Sequence, residues 1–534
     1  MSATLAWMSE DAARHAGSRL SQRWSPRNLH EQFVLCRDAA RVPDAWTKIG
    51  LGGWHLGYHA TLPVSKLTGP NGAPIGFLLG YVVTADGTRI DGSPVAVRDS
   101  ETPDGFERWL FGHGGRFTAV IITEKFARVY LDPCGSLGTV FCAALEIVAA
   151  TPTLIPQTRE TEELADLVAA TGGPEQDWMC PVGLTTRRNI ARLLPNHFLD
   201  LKTWQVTRHW PSGPLSDQGD PAKHQEEIAH VTERMVAGFA AKQDVLLALT
   251  AGRDSRMLLA AAKKWASRII LYTAAFEYPD KVSWQDMLVS GRIGERFGIR
   301  VQHLPFRQPK PDDLEEWLYR TAGQVGEVRG WRGMTTLLQL PPNLANLISP
   351  IPELMRGLYW RFIDQARHPI ELGPLLQICK AGDLPVCRAA LTKWLDELPS
   401  RDPVLTLDLF YIEQRLGCWA GVYTYGLGHD GRFALFPFCH RRIITAMMSL
   451  PAEPRFGDSL QRDFVHRYWP ELMDYPFNSV SGLDRARLHL HLAPSYAVKT
   501  AQMAGRVISN PGRVVKVIKK HVKRRRSNDG PSWS

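Results

Sequence analysis

The sequence predicts an α/β protein of two domains, in which a β-rich first part precedes a parallel sheet with helices packed on its faces. β-Branched runs bounded by Gly and Pro occupy the chain up to about residue 210. Beyond a linker, short apolar runs alternate with helical patterns, as is typical of parallel strands connected by helices. The 534 residues, 44% of them hydrophobic and 22% charged, suffice for a large core and argue against a mainly disordered chain.

The first domain is predicted to span residues 1–210, and its clearest strand pattern is FTAVIITEKFARVYLD (117–132). Two β-branched runs there are separated by the charged residues Glu124–Lys125, which predicts two short strands joined by a turn. A second strand pair, divided at Pro195–Asn196, is expected within 190–210, IARLLPNHFLDLKTWQVTRHW. The Pro-, Gly- and Asp-rich residues 211–223 then predict a linker.

The second domain is predicted to span residues 224–500. Helical periodicity predicts helices at 224–242, 255–266 and 284–298. Short, continuously apolar runs predict buried strands at 244–250, 268–276 and 299–306. Since these strands and helices alternate, the expected sheet is parallel. Beyond about residue 310 the chain is expected to be mostly helical.

The positive charge of the chain is concentrated near its end. The formal net charge is +9, and residues 511–526 contain eight basic and no acidic residues, so the remainder is close to neutral. A neutral body argues against specific nucleic-acid binding. Within the predicted basic tail, 501–534, valines and one isoleucine between the basic residues form a short amphipathic pattern. Weak contact with an anionic membrane, nucleic-acid contact and a solvated end are the alternatives.

The eight cysteines contain no CxxC pair, which excludes a zinc ribbon and a thioredoxin-like redox motif. Scattered cysteines in a chain of this length are expected to be buried thiols in a reducing compartment. The first twenty residues lack the apolar core of a secretory signal, and no apolar run reaches the 18 residues or so that a membrane span needs. Cytoplasmic localisation is therefore expected.

The segment LLALTAGRDSRMLLA (246–260) carries the strongest functional signal, because a buried strand leads through a turn of small residues into a helix. Ligands bind beyond the carboxyl ends of parallel strands, and a helix N-terminus suits phosphate. Thr250 and Ser255 offer hydroxyl groups, and Asp254 offers oxygen atoms to Mg²⁺. The loop matches neither the Walker A pattern nor GxGxxG. The alternative is an ordinary strand–turn–helix connection with Asp254 as the N-cap.

TAGRDS, 250–255, resembles the SGGxDS loop of the N-type ATP pyrophosphatases, in a setting similar to the synthetase domain of asparagine synthetase. That family adenylates a carboxylate with ATP, and an amine then displaces AMP. The resemblance implies ATP and Mg²⁺ as cofactors, with Asp254 and Glu353 as metal-binding residues. It also implies an Ntn-type αββα sandwich followed by an adenine-nucleotide-hydrolase-like (PP-loop) parallel sheet with C-terminal helices. The implied nucleotide-binding residues are Leu249, Thr250, Ala251, Gly252, Arg253, Asp254 and Ser255.

Further segments resemble the same family in the same order. Two of them, 115–141 and 191–201, resemble the RDxxG turn and the hairpin of the glutamine amidotransferase domain. The other three, 352–360, 433–451 and 462–472, resemble segments of the synthetase domain. Together the matches extend over roughly 115–475, and their order makes the set more specific than any single match.

The chain also departs from the family at positions that matter. The exposed N-terminal cysteine of the glutaminase is missing, because the chain starts with Met1, Ser2 and Ala3; glutaminase activity is therefore not expected, and Ser2 is the alternative nucleophile. Pro352 stands where a metal-binding Asp is expected, and Ser349 where an acid or tyrosine assists the amine. YPFNSVSG (475–482) lacks the lysine that stabilises charge on the phosphate.

These observations predict an ATP-dependent ligase of asparagine-synthetase type, with a small-molecule or peptide carboxylate and an amine as substrates. The alternative is a non-catalytic relative that keeps the fold and perhaps ATP binding. Catalytic residues stay unknown, and a homodimer is left open. Five other positions carry two interpretations each. His429 and His440 are bases or else surface or core residues, Asp286 is a ligand or an N-cap, and Arg253 and Arg256 are phosphate contacts or a solvated helix face.

Overall fold

The computed structural model describes residues 24–492, except 174–175, 214, 216–218, 277–280, 327, 363–365, 430 and 481. Ser2 and the predicted basic tail, 501–534, lie outside the described residues. The described chain is a mixed α/β protein with several sheets. No helix within the described residues is both long and apolar enough to cross a membrane. All eight cysteines are buried free thiols, as predicted.

The first part of the chain forms two large sheets. One is antiparallel and has six strands, which in spatial order are Ala191–Arg192, Val140–Cys142, Ile147–Ala149, Phe33–Cys36, Trp54–Tyr58 and Thr47–Leu51. The other has the spatial order Val206–Arg208, His197–Asp200, Ala127–Leu131, His113–Ile122, Pro74–Thr84, Val64–Thr68 and Val95–Ala96, with Arg89–Ile90 added on Pro74–Thr84.

The two sheets pack face to face. Alternate residues of each strand point to opposite faces, so Phe33 and Leu35 contribute to the core between the sheets, with Phe77 and Leu79 from the other sheet. Val34, on the opposite face of its strand, belongs to a separate outer cluster. The outer face of the second sheet is covered by the helix that starts at Pro103, through buried residues such as Phe106 and Leu110.

The two strands predicted within 117–132 are present as His113–Ile122 and Ala127–Leu131, paired antiparallel. The strand pair predicted within 190–210 is present, but the chain turns between its strands after Asp200 and not at Pro195–Asn196. Ala191–Arg192 joins the six-stranded sheet, whereas His197–Asp200 joins the other sheet and pairs with Val206–Arg208. Both flanks of the Pro195 turn are apolar, and long-range pairing decides which sheet each one enters.

A five-stranded, fully parallel sheet forms the centre of the second part. Its strands in spatial order are Arg300–Leu304, Ile269–Ala274, Val245–Ala248, Ala345–Leu347 and Phe433–Leu435. The first three of these agree with the predicted strands. The last two were not predicted, because three-residue strands are too short to give a periodic pattern. When the five strands are numbered by their order in the chain, they lie side by side in the order third, second, first, fourth and fifth.

Helices cover the faces of this sheet and make up most of the chain beyond it. In chain order the α-helices are Pro103–Phe111, Ala165–Thr171, Pro221–Ala240, Arg253–Ala261, Lys281–Phe297, Pro311–Thr321, Val328–Leu337, Leu372–Cys379, Pro385–Asp396, Pro403–Phe410, Gly421–Leu427, Arg441–Met448, Ala452–Arg455 and Ser459–Tyr468. Residues 482–492 form a further helix, and Tyr411–Ala420 is a π-helix.

The helix predicted at 224–242 starts earlier, at Pro221, where Asp220 caps it by accepting a hydrogen bond from the Ala222 N–H at 2.9 Å. The helix predicted at 255–266 is shorter than expected, since it ends at Ala261 and a 3₁₀-helix, Lys263–Arg268, continues to the next strand.

The two parts of the chain are joined by backbone and side-chain contacts. Trp178–Met179 pairs antiparallel with Val325–Gly326, which forms a small sheet between them. Close backbone approach occurs at Gly138, where a Cβ would lie 2.5 Å from the carbonyl oxygen of Gly421. Glu413 of the π-helix, fully buried, accepts hydrogen bonds from side chains of the first part.

Candidate functional site

The loop predicted to bind phosphate lies at the carboxyl end of the central strand, Val245–Ala248. The chain leaves this strand at Leu249 and enters the helix Arg253–Ala261, for which Gly252 is the N-cap. Glycine has no side chain that could accept a hydrogen bond from the first helical turn, so the backbone N–H groups of this turn stay open to an anion. Asp254 is the second helical residue, and the alternative that it is the N-cap is wrong.

Two hydroxyl groups hold the loop in shape. The Thr250 N–H donates to Ser255 Oγ at 3.1 Å, and the two hydroxyl oxygens are 3.0 Å apart. The Gly252 N–H donates to Thr250 Oγ1 at 3.0 Å. Both hydroxyl groups, predicted as direct phosphate donors, therefore shape the backbone around the space where a phosphate would lie.

Asp286 braces the loop from the neighbouring helix, Lys281–Phe297. Its Oδ1 atom accepts a hydrogen bond from the Ala251 N–H at 2.7 Å. Asp286 lies inside the helix, so its interpretation as an N-cap is wrong. The carboxylate instead occupies a backbone donor of the loop and fixes the orientation of that peptide.

The opposite side of the loop is held by Arg256 and by the segment after Leu472. The Ala251 carbonyl accepts hydrogen bonds from Arg256 Nη2 at 3.2 Å and from the Asn478 N–H at 3.0 Å. Arg256 is fully buried, donates to the Tyr475 carbonyl at 2.7 Å and stacks on Phe477, 4.0 Å from the ring centroid. Arg256 therefore does not lie on a solvated helix face; it clamps the loop, and its contact with phosphate stays a prediction. The segment without the expected lysine nevertheless lies against the loop.

The carboxyl groups of Asp254 and Glu353 form a pair beside the loop. Burial and the neighbouring Glu353 carboxylate hold the pKa of Asp254 well above its usual value, and Arg356 opposes this shift. Glu353 forms an ion pair with Arg356 through Oε1. Its Oε2 atom is buried and has no hydrogen-bond partner among the described residues. The structure thus brings together the two residues predicted to bind a metal.

These groups fit a hard cation, because they are oxygen donors and Mg²⁺ prefers oxygen. The buried Oε2 of Glu353 is an acceptor that a cation would satisfy. Within the described ranges, no group of three or more His, Cys, Asp or Glu side chains is arranged to bind a metal. Asp254 and Glu353 could therefore supply only part of the coordination shell, and water or phosphate oxygens would complete it, as is usual for Mg²⁺.

A cavity of about 370 Å³ opens beside the loop, at the carboxyl ends of three parallel strands. Its apolar lining includes Leu249, Tyr272, Ala274, Phe276, Ile348 and Leu427. Its polar lining is formed by Thr250, Thr273, Ser283, Asp286, Asn346 and Asn478. Tyr272 Oη donates to Asn346 Oδ1 at 2.9 Å, across the central strand. A cavity of this size, with an apolar lining and fixed polar groups, is typical of small-molecule sites.

Two arginine side chains besides Arg256 lie near the helix N-terminus. The guanidinium groups of Arg253 and Arg462 lie 5.8 and 5.1 Å from the ring centroid of Phe477, which Arg256 also contacts. Arg253 forms an ion pair with Asp458, which is partly exposed. Arg253 and Arg462 thus contribute cationic side chains near the loop from two different helices.

Two further residues of this site have no signal in the sequence. Gln461 is fully buried and donates through Nε2 to Asp254 Oδ1 at 2.6 Å. Asn346 lines the cavity from a strand that was not predicted. No sequence pattern points to either of them, because each reaches the site through long-range packing.

The histidines lie elsewhere. His440 is fully buried and caps the helix Arg441–Met448, where its Nδ1 accepts from the Arg442 N–H at 3.1 Å. Burial lowers the pKa of His440 to about 4, so the ring is neutral near pH 7. His429 lies 3.7 Å from Glu316 Oε1. His440 therefore agrees with its interpretation as a hydrogen-bonded core residue.

Comparison with protein-family models and with curated proteins gives no match for this chain.

Proposed function

We propose that the protein is an ATP-dependent ligase of asparagine-synthetase type, which activates a carboxylate as an acyl-adenylate, releases pyrophosphate and passes the acyl group to an amine. The observation that carries this proposal is the position of the 250–255 loop. It lies at the carboxyl end of the central parallel strand, between the cavity and a pair of carboxyl groups. A nucleotide needs all three: room for its base, backbone donors for its phosphates and oxygen ligands for its cation.

The order of the parallel strands supports the same site. The first strand, Val245–Ala248, is adjacent to the fourth, Ala345–Leu347. The chain leaves the first strand toward the second on one side and leaves the fourth toward the fifth on the other. In open α/β sheets, ligands bind at this switch in strand order. The loop and the cavity both lie there, which favours the PP-loop type of sheet expected from the resemblance. The two face-to-face sheets of the first part favour the Ntn-type sandwich.

In the proposed reaction, the carboxylate oxygen attacks the α-phosphorus, and the bond to the bridging oxygen breaks with release of pyrophosphate. The amine then attacks the acyl carbon, AMP leaves, and the amine loses a proton. The backbone N–H groups at the start of Arg253–Ala261 would bind the phosphates. Asp254 and Glu353 would hold Mg²⁺, which supplies charge neutralisation on the phosphates. Arg253 and Arg462 would provide cationic charge in place of the missing lysine.

The first part of the chain is proposed to lack glutaminase activity. In a glutaminase of this family, the free α-amino group of the nucleophile is the base. The first strand here starts at Phe33 and is preceded by Gln32, so the nitrogen at this place belongs to a peptide bond. Glu31 is also buried there, and its Oε2 accepts a hydrogen bond from Arg116 Nη1 at 2.6 Å. Ammonia or another amine would therefore come from elsewhere.

A non-catalytic relative is the second candidate, and Pro352 favours it. Pro352 is buried and its side chain offers no oxygen, although an Asp is expected at this place. A protein of this kind would bind nucleotide at the same loop without turning it over. Both candidates would thus bind nucleotide at this loop, and only the ligase would convert it to products.

The test is calorimetric titration of MgATP into the wild type and Asp254→Ala. The proposal expects binding to the wild type and a loss of at least about tenfold in affinity for the variant, because a charge-assisted contact is removed. Asp484→Ala is a matched control, since Asp484 pairs with Arg292 in an exposed ion pair. Equal affinity in all three proteins, or no binding to folded wild type, would overturn the proposed site. Pyrophosphate release with a panel of carboxylates separates the ligase from the non-catalytic candidate.

A further inference from the structure

Gln461 links the two segments that carry the carboxyl pair. It lies on the helix Ser459–Tyr468 and is fully buried. Its Nε2 atom donates to Asp254 Oδ1 at 2.6 Å and to the Pro352 carbonyl at 3.0 Å. Asp254 belongs to the helix after the loop, and Pro352 is the neighbour of Glu353. One amide group therefore ties together the backbones that set the separation of the two carboxyl groups.

The orientation of this amide is determined by its partners. The Pro352 carbonyl can only accept a hydrogen bond, so the amide nitrogen must face it and the amide oxygen must face away. The oxygen, Oε1, is buried and has no hydrogen-bond partner among the described residues. An apolar residue of similar size would remove this unsatisfied oxygen, but it would leave Asp254 Oδ1 and the Pro352 carbonyl without this donor. A glutamine at this position is therefore poorly explained by packing alone.

We infer that Gln461 is a positioning residue for the metal: it fixes Asp254 through Oδ1, leaves the second carboxylate oxygen for the cation, and holds Glu353 at a set distance through Pro352. This inference rests on the proposed function. Side chains that orient metal ligands by hydrogen bonds commonly set metal affinity, although they do not touch the metal. Gln461, which would have this role, lies more than 200 positions away from Asp254 in sequence.

The structure offers a matched control in Gln414. This glutamine is also fully buried, donates through Nε2 to a carbonyl, that of Cys180, at 2.9 Å, and has a buried Oε1 without a partner among the described residues. It lies in the π-helix, and neither Asp254 nor Glu353 is its hydrogen-bond partner. Gln461→Met and Gln414→Met remove the same chemical group and conserve volume, so they should affect packing alike.

The experiment measures binding of Mn²⁺, as a spectroscopic substitute for Mg²⁺, to the full chain by electron paramagnetic resonance in the absence of nucleotide. We expect Gln461→Met to weaken Mn²⁺ binding about 10- to 100-fold. Gln414→Met should bind Mn²⁺ as the wild type does. Gln461→Asn is a second variant that stays polar, and its amide is one methylene too short to reach both Asp254 and Pro352. It should weaken binding as Gln461→Met does.

Unchanged Mn²⁺ affinity in folded Gln461→Met or Gln461→Asn would overturn the role of Gln461 and leave the metal site in place. Equal weakening in Gln414→Met would also overturn it, since the effect would then be general. If the wild type binds no Mn²⁺ while MgATP still binds to the loop, the carboxyl pair is not a metal site and the inference fails with it. Absence of both kinds of binding would instead contradict the proposed function as a whole.

Discussion

The Ala251 N–H and the Asp286 carboxylate are joined by a hydrogen bond of 2.7 Å, which connects the loop to the helix after the second parallel strand. We expect Asp286→Ala to weaken MgATP binding about tenfold, because the loop peptide loses a charge-assisted bond worth about 1.5–3 kcal/mol. Asp286→Asn keeps an oxygen acceptor and should bind nearly as well as the wild type. Calorimetric titration of all three proteins measures this. Tighter binding to Asp286→Ala would mean that the carboxylate competes with phosphate for the same N–H.

The affinity for Mg²⁺ should depend on pH through Asp254. Burial and Glu353 raise the pKa of this carboxyl group, and metal binding requires its ionised form. Below the raised pKa, binding must release a proton, so the apparent affinity should increase about tenfold for each pH unit and then become constant. A titration with Mn²⁺ in buffers from mildly acidic to mildly alkaline pH measures this slope. A flat profile would show that Asp254 is already ionised without metal.

The same shift predicts a stability change. A carboxyl group whose folded pKa is raised destabilises the folded state once the pH exceeds its unfolded pKa, because ionisation is then costlier in the fold. Asp254→Asn removes this cost, so the metal-free variant should unfold at a higher temperature than the wild type at neutral pH. Each pKa unit corresponds to about 1.4 kcal/mol. Circular dichroism melts measure the difference, which should vanish at acid pH; a lower midpoint for the variant at neutral pH contradicts the prediction.

A buried ion pair contacts the backbone of the residue that follows Glu353. Arg455 binds both oxygens of Asp408, at 2.8 and 2.7 Å, and its Nε donates to the Leu354 carbonyl at 2.9 Å. Arg455→Met leaves the Asp408 carboxylate buried without its partner and should cost about 3–5 kcal/mol of unfolding free energy. The double variant with Asp408→Leu should recover much of that loss. Urea unfolding of both proteins tests this, and equal losses would show that the charge is not the cause.

Glutamine should not be hydrolysed by this protein, because the nitrogen before Phe33 is part of a peptide and Glu31 and Arg116 occupy the interior beside it. Incubation with glutamine should release glutamate only at the background rate. Release above background that disappears in Ser2→Ala would identify Ser2 as a nucleophile and contradict the prediction.

The sequence predicts the centre of the fold well, and its failures have a common cause. The strands Val245–Ala248, Ile269–Ala274 and Arg300–Leu304 are continuous apolar runs between helices, a pattern that is readable locally. Ala345–Leu347 and Phe433–Leu435 contain three residues each, and their place in the sheet depends on partners far away in the chain. Local patterns cannot reveal such pairing.

In the candidate site, too, features formed by consecutive residues could be predicted, whereas contacts between distant segments could not. The 250–255 loop was predicted because strand, turn and helix are consecutive in the chain. Glu353 was predicted from its resemblance to a family segment, and the structure brings it next to Asp254. Gln461 and the bracing role of Asp286 could not be predicted, since a buried glutamine or a helical aspartate has no distinctive neighbours in sequence. Their roles come from the packing of separate helices onto the loop.

The small sheet of Trp178–Met179 and Val325–Gly326, together with the backbone contact at Gly138, makes the covalent connection at 211–220 only one of several attachments between the two parts of the chain. A protease nick in that connection would therefore leave both fragments associated. Two polypeptides expressed separately, with the break placed there, should assemble into one particle and copurify.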